Sequence, residues 1–220
     1  MSAEPSPREM LRDGLAQLAI PEPQRALGLL EAYLDELERW NPRFGFVKAA
    51  SRQDLIVKHV LDSLVAWRHV GEEAAGGRVL DVGSGAGFPG IPLAIALPDL
   101  CLSLLERSIK KVSFLRTCKA LLRLHKVEVL AGELAGAAEA HNAPYDVVTF
   151  RAVAPLARFL DDSGSSDLQF RSIIAYKGRI ERAQEEIDDV RRSRPRLQAE
   201  VIPVMVPFLD EERCLAIVRY

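Results

Sequence analysis

The segment Leu80-Asp81-Val82-Gly83-Ser84-Gly85-Ala86-Gly87-Phe88-Pro89-Gly90 leaves a chain few ways to fold. The apolar run Val79–Val82 predicts a strand, and the residues from Gly90 onward predict a helix. Between them lie glycines at alternate positions, Gly83, Gly85 and Gly87. Glycine there permits backbone angles that other residues avoid, and it lets a ligand approach the main chain closely. A strand, a sharp glycine turn and a helix belong at the carboxyl edge of an open parallel sheet, where such folds bind their ligands.

The flanking sequence agrees. Residues 8–19 and 23–40 carry apolar positions at helical spacing; Pro21 and Pro23 separate them, and Asn41-Pro42 ends the second. A third helix is expected from Arg52 to His69, with Leu55, His59, Asp62 and Ala66 on one side. From Arg78 onward strands and helices alternate. Further strands fall at Leu102–Leu105, Val127–Leu130, Asp146–Phe150, Ile173–Tyr176, Glu200–Val206 and Cys214–Arg219. Helices fall at Ser108–Leu124 and 180–192, with a short helical piece before Asp146. This predicts an α/β fold, a mostly parallel seven-stranded sheet with helices on both faces. Residues 1–70 read as a helical N-terminal extension packed on the domain that follows, and 71–220 as that ligand-binding domain. Asp162–Asp167, a Ser/Gly/Asp stretch, reads as a mobile loop.

Two cofactor classes suit the glycine turn. Gly85 to Gly90 formally satisfies the dinucleotide pattern G-x-G-x-x-G, which offers N–H groups and a helix N-terminus to a pyrophosphate. That match is displaced from the strand end, however, and Pro89 removes one donor. Asp81 would also place negative charge near the phosphates. A cationic ligand without phosphate suits the turn better, and S-adenosylmethionine, with its sulfonium and amino group, is such a ligand. Glu106 ends the next strand, where a carboxylate can accept both ribose hydroxyls; alone it also reads as a helix cap. An NAD-dependent dehydrogenase remains a distant alternative.

Composition adds exclusions. No apolar run reaches the roughly 20 residues that span a bilayer. Cys101, Cys118 and Cys214 lie far apart without zinc or disulfide spacing, and read as buried thiols in a cytoplasmic protein. A net charge of −2 argues against an all-over nucleic-acid coat but leaves room for local basic patches. Two such patches are Arg39, Arg43, Lys48, Arg52 and Lys58, and then Lys110, Lys111, Arg116, Lys119, Arg123 and Lys126. The first borders the expected cleft and suits RNA phosphates better.

Several blocks together resemble the bacterial small-subunit (16S) ribosomal RNA guanine-N7 methyltransferases, also called glucose-inhibited division protein B. They are Trp40-Asn41, Val57-Lys58-His59-Val60-Leu61-Asp62-Ser63, the run Asp81 to Leu93, Leu105-Glu106, Lys110-Lys111-Val112, Phe114-Leu115, Arg151-Ala152 and Lys177-Gly178. The similarity covers residues 25–220. It implies a Rossmann-like class I methyltransferase that uses S-adenosylmethionine and acts on guanine N7 in the decoding-region loop of 16S RNA. The expected partner is that RNA or the 30S subunit, with no metal and a monomeric chain. The resemblance places the cofactor on Gly83, Phe88, Glu106, the Leu134-Ala135 pair and Arg151; Asp81, Gly85 and Gly87 join them from the turn itself. Relatives carry an acidic residue at 134–135, and Asn-Leu-Thr where this chain has Gly45-Phe46-Val47.

Guanine N7 carries an in-plane lone pair, so its methylation needs no general base, and catalysis can rest on proximity and alignment. His59 and Asp62, one helical turn apart, are candidates for the cleft or for a helix-stabilising pair. Arg151 and Lys177 follow strand ends and suit phosphate or guanine, or structural ion pairs. Phe44 and Phe46 suit a splayed base or the core. Alternatives to the 16S reading are a methyltransferase with another RNA or small-molecule acceptor, and a non-catalytic RNA- or ribosome-binding protein on the same fold.

Overall fold

The computed structural model describes residues 5–134, 144–166 and 168–220. The strands are β1 (Arg78–Val82), β2 (Cys101–Glu106), β3 (Val127–Ala131), β4 (Tyr145–Arg151), β5 (Phe170–Lys177), β6 (Gln198–Val204) and β7 (Arg213–Arg219). They form one seven-stranded sheet in the order β3-β2-β1-β4-β5-β7-β6, parallel except for antiparallel β7. The chain winds outward from β1 in one direction to β3 and returns to β4 on its other side. The ligand crevice of such a sheet opens at that reversal, beyond the carboxyl ends of β1 and β4.

Alternate strand residues point to opposite faces, and two cores result. One face presents Val79, Leu102, Leu104, Val147 and Ile174 to the N-terminal helices. These are α1 (Pro7–Gln17), α2 (Pro23–Phe44), α3 (Arg52–Leu55), a π-helical stretch (Ile56–Leu61), α4 (Asp62–Leu64) and α5 (Trp67–Ala74), with α6 (Gly90–Ala96) and α7 (Ile109–Leu121) following. The other face presents Leu80, Val82, Val148, Phe150 and Ile173 to α8 (Leu156–Ser165) and α9 (Ile180–Ser193). Ala183, Ile187 and Val190 of α9 are buried as the spacing predicts.

Several local expectations are corrected. Residues 162–165 are helical, because Leu156, Phe159, Leu160 and Ser163 make one buried stripe that outweighs the loop propensity of Ser and Gly; Asp167 lies outside the described residues. Pro42 does not end α2, which runs on to Phe44 and closes on Gly45 at φ 60°. The Arg52–His69 helix is interrupted by its π-helical stretch and by a break before Trp67. Cys101 is exposed rather than buried, since it opens β2; Cys118 and Cys214 are buried. The short helical piece before Asp146 falls almost wholly outside the described residues.

Candidate active site

Asp81 holds the glycine turn from beneath. It is fully buried, and its Oδ2 accepts the Gly90 N–H at 3.0 Å while Oδ1 has no hydrogen-bond partner among the described residues. The main-chain N–H groups of Gly83 and Ser84 both donate to the Leu105 carbonyl, at 2.9 and 3.0 Å. Glu106 closes the turn from β2: Oε2 accepts the Gly85 N–H at 2.9 Å and Oε1 the Ser108 N–H at 2.8 Å. A carboxylate offers about four lone-pair sites, so Glu106 keeps acceptor capacity for ribose hydroxyls. From the N-terminal helices Tyr33 donates its hydroxyl to the Ala86 carbonyl at 2.5 Å and sets its ring edge-on to Phe88.

Gly87 has φ 100°, and a Cβ there would stand 2.5 Å from Ile91 Cδ1 and 3.2 Å from the Tyr33 hydroxyl. Gly87→Ala is therefore expected to lower stability by about 2 kcal/mol, from left-handed strain and overpacking together. Thermal unfolding beside wild type checks this; an unchanged midpoint would mean that the turn is not under this constraint.

Burial pushes the Asp81 carboxyl up to about 7 from 3.8. Between those values the folded chain holds a proton that the unfolded chain has lost. Stability from this group thus falls as pH rises from about 4 to about 7, by at most about 1.4 kcal/mol per pH unit, and levels off above. Asp81→Asn keeps an acceptor for Gly90 and never ionises. Its unfolding free energy, followed by urea across this range, is expected to be flatter with pH than that of wild type; parallel profiles would contradict the buried proton.

Two clefts open along this edge. The larger, ≈ 770 Å³, is lined by Gly83, Glu106, Lys111, Leu134 and Val153 among others. The smaller, ≈ 390 Å³, is lined by Asp62, Arg151, Tyr176, Lys177 and Arg213. Ala152 and Ala154 belong to both walls. Ala152 holds φ 56°, a conformation that non-glycine residues adopt mainly where the surroundings enforce it.

The smaller cleft is organised around Asp62. Its Oδ2 accepts Arg151 Nη1 at 2.9 Å and its Oδ1 accepts Arg213 Nε at 3.1 Å. Arg151 also donates to the Lys58 carbonyl at 3.2 Å, lies over the Phe88 ring at 5.4 Å, and sets Nη2 3.0 Å from His59 Nδ1. A guanidinium only donates, so Nδ1 must accept and the imidazole proton sits on Nε2, which faces the Lys48 carbonyl at 3.4 Å. Burial, with the Arg151 charge second, pushes the His59 pKa below its ordinary value and keeps this neutral form. His59 and the Lys58 carbonyl both come from the π-helical stretch, an irregularity frequent at functional sites.

Sequence reasoning thus brought His59, Asp62, Arg151, Gly83, Gly85, Gly87, Phe88 and Glu106 to one edge. Asp81 lies beneath the turn rather than in a cleft wall. Lys177 lines the smaller cleft, but its Nζ is held by Glu186 at 2.7 Å. Leu134 lines the larger cleft, and Ala135 lies outside the described residues. Arg213 was missed: after Glu211-Glu212 it reads as part of a polar turn, and only strand order brings β7 beside the site. Tyr33 was missed too, because its spacing is that of an ordinary core residue. Of the first basic patch, Arg39, Arg52 and Lys58 are paired with Glu36, with Asp35 and Glu38, and with Asp54.

The spare acceptors of Glu106 suit a ribose, Gly83 brings a side-chain-free turn into the wall of the larger cleft, and Asp81 holds that turn from beneath. Together with the strand order these features define a class I, S-adenosylmethionine-dependent methyltransferase. Solved structures share the fold. A methyltransferase from Geobacter sulfurreducens superposes with TM-score 0.58 at 14% identity, covering 86% of this chain and 90% of that one. A human methyltransferase 10 domain containing protein gives 0.59 at 15%, covering 87% and 95%. The family model described as rRNA small subunit methyltransferase G matches residues 26–215. The relative of that name from Halorhodospira halophila is 39% identical over 184 residues, covering 84% of each chain. The one from Treponema pallidum is 36% identical over 224 residues, covering 98% of this chain and 95% of its own. The chain belongs to the rRNA small subunit methyltransferase G family.

No helix among the described residues is long and apolar enough to cross a membrane.

Proposed function

We propose that this chain transfers a methyl group from S-adenosylmethionine to N7 of a guanosine in the decoding-region loop of 16S ribosomal RNA, acting as a monomer on that RNA or the 30S subunit in the cytoplasm. The observation that carries the reading is the pair of clefts sharing Ala152 and Ala154, one beside the glycine turn and Glu106, the other lined by cationic side chains. Residues 71–220 form the catalytic domain, and residues 1–70 an extension that braces the turn through Tyr33.

The cofactor, when bound, supplies an electrophilic methyl group. Gly83, Gly85, Gly87, Phe88, Glu106, Leu134 and Ala135 hold it, with Asp81 and Arg151 supporting the turn and its mouth. The chain's remaining work is positional. N7 brings its own lone pair and loses no proton, so no residue has to act as a base there. Arg151, His59 and Asp62 orient the base, and Lys177 lines the same cleft with its Nζ held by Glu186. Asp62 fixes both guanidiniums, so the cleft presents donors already aimed before the acceptor enters.

Acceptor choice tests the reading. Labelled methyl transfer is expected to undermethylated 30S subunits or their RNA and not to free guanosine. Transfer to the nucleoside alone would make the acceptor a small molecule.

A further inference from the structure

Beside the clefts lies an aromatic surface that the methyl-transfer chemistry leaves unused. Phe44 and Phe46 are stacked, with centroids 5.5 Å apart and planes within 10°, and Trp40 lies 5.4 Å from Phe44. Both phenylalanines are only half-buried. Trp40 and Phe44 line a surface hollow of ≈ 240 Å³ together with Arg39 and Arg43. Arg43 and Lys110 lie over the Phe44 ring at 5.2 and 5.6 Å. Neither of these cations, nor neighbouring Lys48 and Lys111, pairs with a carboxylate among the described residues. The chain near the hollow leads toward the clefts: Lys110, over the Phe44 ring, is followed by Lys111 in the wall of the larger cleft, and the Lys48 carbonyl meets His59, whose ring lies beside Arg151 of the smaller one.

We propose that Phe44, Trp40 and Arg43 form a stacking subsite for an unpaired base next to the target guanosine, with Lys110 and Lys48 on the adjoining phosphates. The proposal rests on the RNA reading and names where a second nucleotide of that substrate is held. Aromatic faces accept any base, and an arginine can stack on its other side. Unpaired cations beside the rings match the charge of an RNA strand and not that of an apolar partner segment.

The test is equilibrium binding of a labelled single-stranded RNA of decoding-loop sequence, intact or with a single abasic position next to the target guanosine. Wild type is expected to bind the abasic strand about tenfold more weakly, an effect of one lost stack. Phe44→Leu keeps an apolar side chain without a ring, and is expected to bind both strands alike, at the weaker level. Unchanged S-adenosylmethionine affinity shows that this variant is folded; if it is not, Arg43→Gln, which leaves the rings in place, is compared in the same way. Equal binding of both strands by wild type, no binding at all, or a full abasic effect surviving in Phe44→Leu would each overturn the subsite. Absence of methyl transfer to RNA by wild type, with the abasic effect present, would overturn the catalytic reading and leave the subsite standing.

Discussion

Asp62→Asn is expected to remove most methyl transfer and to lower stability by about 2–3 kcal/mol. Asp62 is buried and lies between two guanidiniums, Arg151 and Arg213, each bound to a different oxygen. Asparagine keeps one acceptor and turns an NH2 toward the other arginine, where a donor meets a donor. Breaking a buried ion pair costs about 3–5 kcal/mol; the arginine side chains here are 21% exposed and can turn toward water, which brings the loss down to about 2–3 kcal/mol. Arg151 then loses the anchor that sets it against His59 and Phe88, and the cleft proposed for the acceptor loses its alignment. Urea unfolding and kcat/KM for RNA check the two halves together. Wild-type activity in a folded Asp62→Asn would remove the carboxylate from the positioning scheme.

The second large effect falls on the cofactor side. Glu106→Gln is expected to weaken S-adenosylmethionine binding by roughly 10- to 100-fold, about 1.4–2.8 kcal/mol at 1.4 kcal/mol per tenfold. The carboxylate accepts two backbone N–H groups, from Gly85 in the turn and from Ser108 at the start of α7. An amide can accept only one of them through its oxygen, and its NH2 opposes the other. Hydrogen bonds to a charged group contribute about 1.5–3 kcal/mol each, so losing one distorts the turn and also removes an acceptor proposed for the ribose. Calorimetric titration with the demethylated cofactor measures this without turnover. An unchanged Kd would place the adenosyl group away from Glu106.

What the sequence reveals here follows from how local each signal is. The turn from Asp81 to Gly90 and the strand–helix alternation are short-range patterns, and each was readable in order. Glu106 was readable because a fixed element length places it beside the turn. Arg213 and Tyr33 were not readable, because each reaches the site only through the tertiary fold: Arg213 through the antiparallel return of β7, Tyr33 across the packing of α2 on α6 and α7. The pairing of Lys177 with Glu186 was equally hidden, since α9 folds back over the end of β5. Residues 162–165 misled because Ser, Gly and Asp carry loop propensity, whereas burial of Phe159 and Leu160 decides the helix.

The most direct measurement is mass spectrometry of 16S RNA from undermethylated 30S subunits incubated with the purified chain and labelled S-adenosylmethionine. One new 7-methylguanosine in the decoding-region loop is expected, strongly reduced when Asp62→Asn or, at low cofactor, Glu106→Gln replaces wild type. Label in another nucleoside, or none while the cofactor still binds, would contradict guanine N7 of that loop as the acceptor.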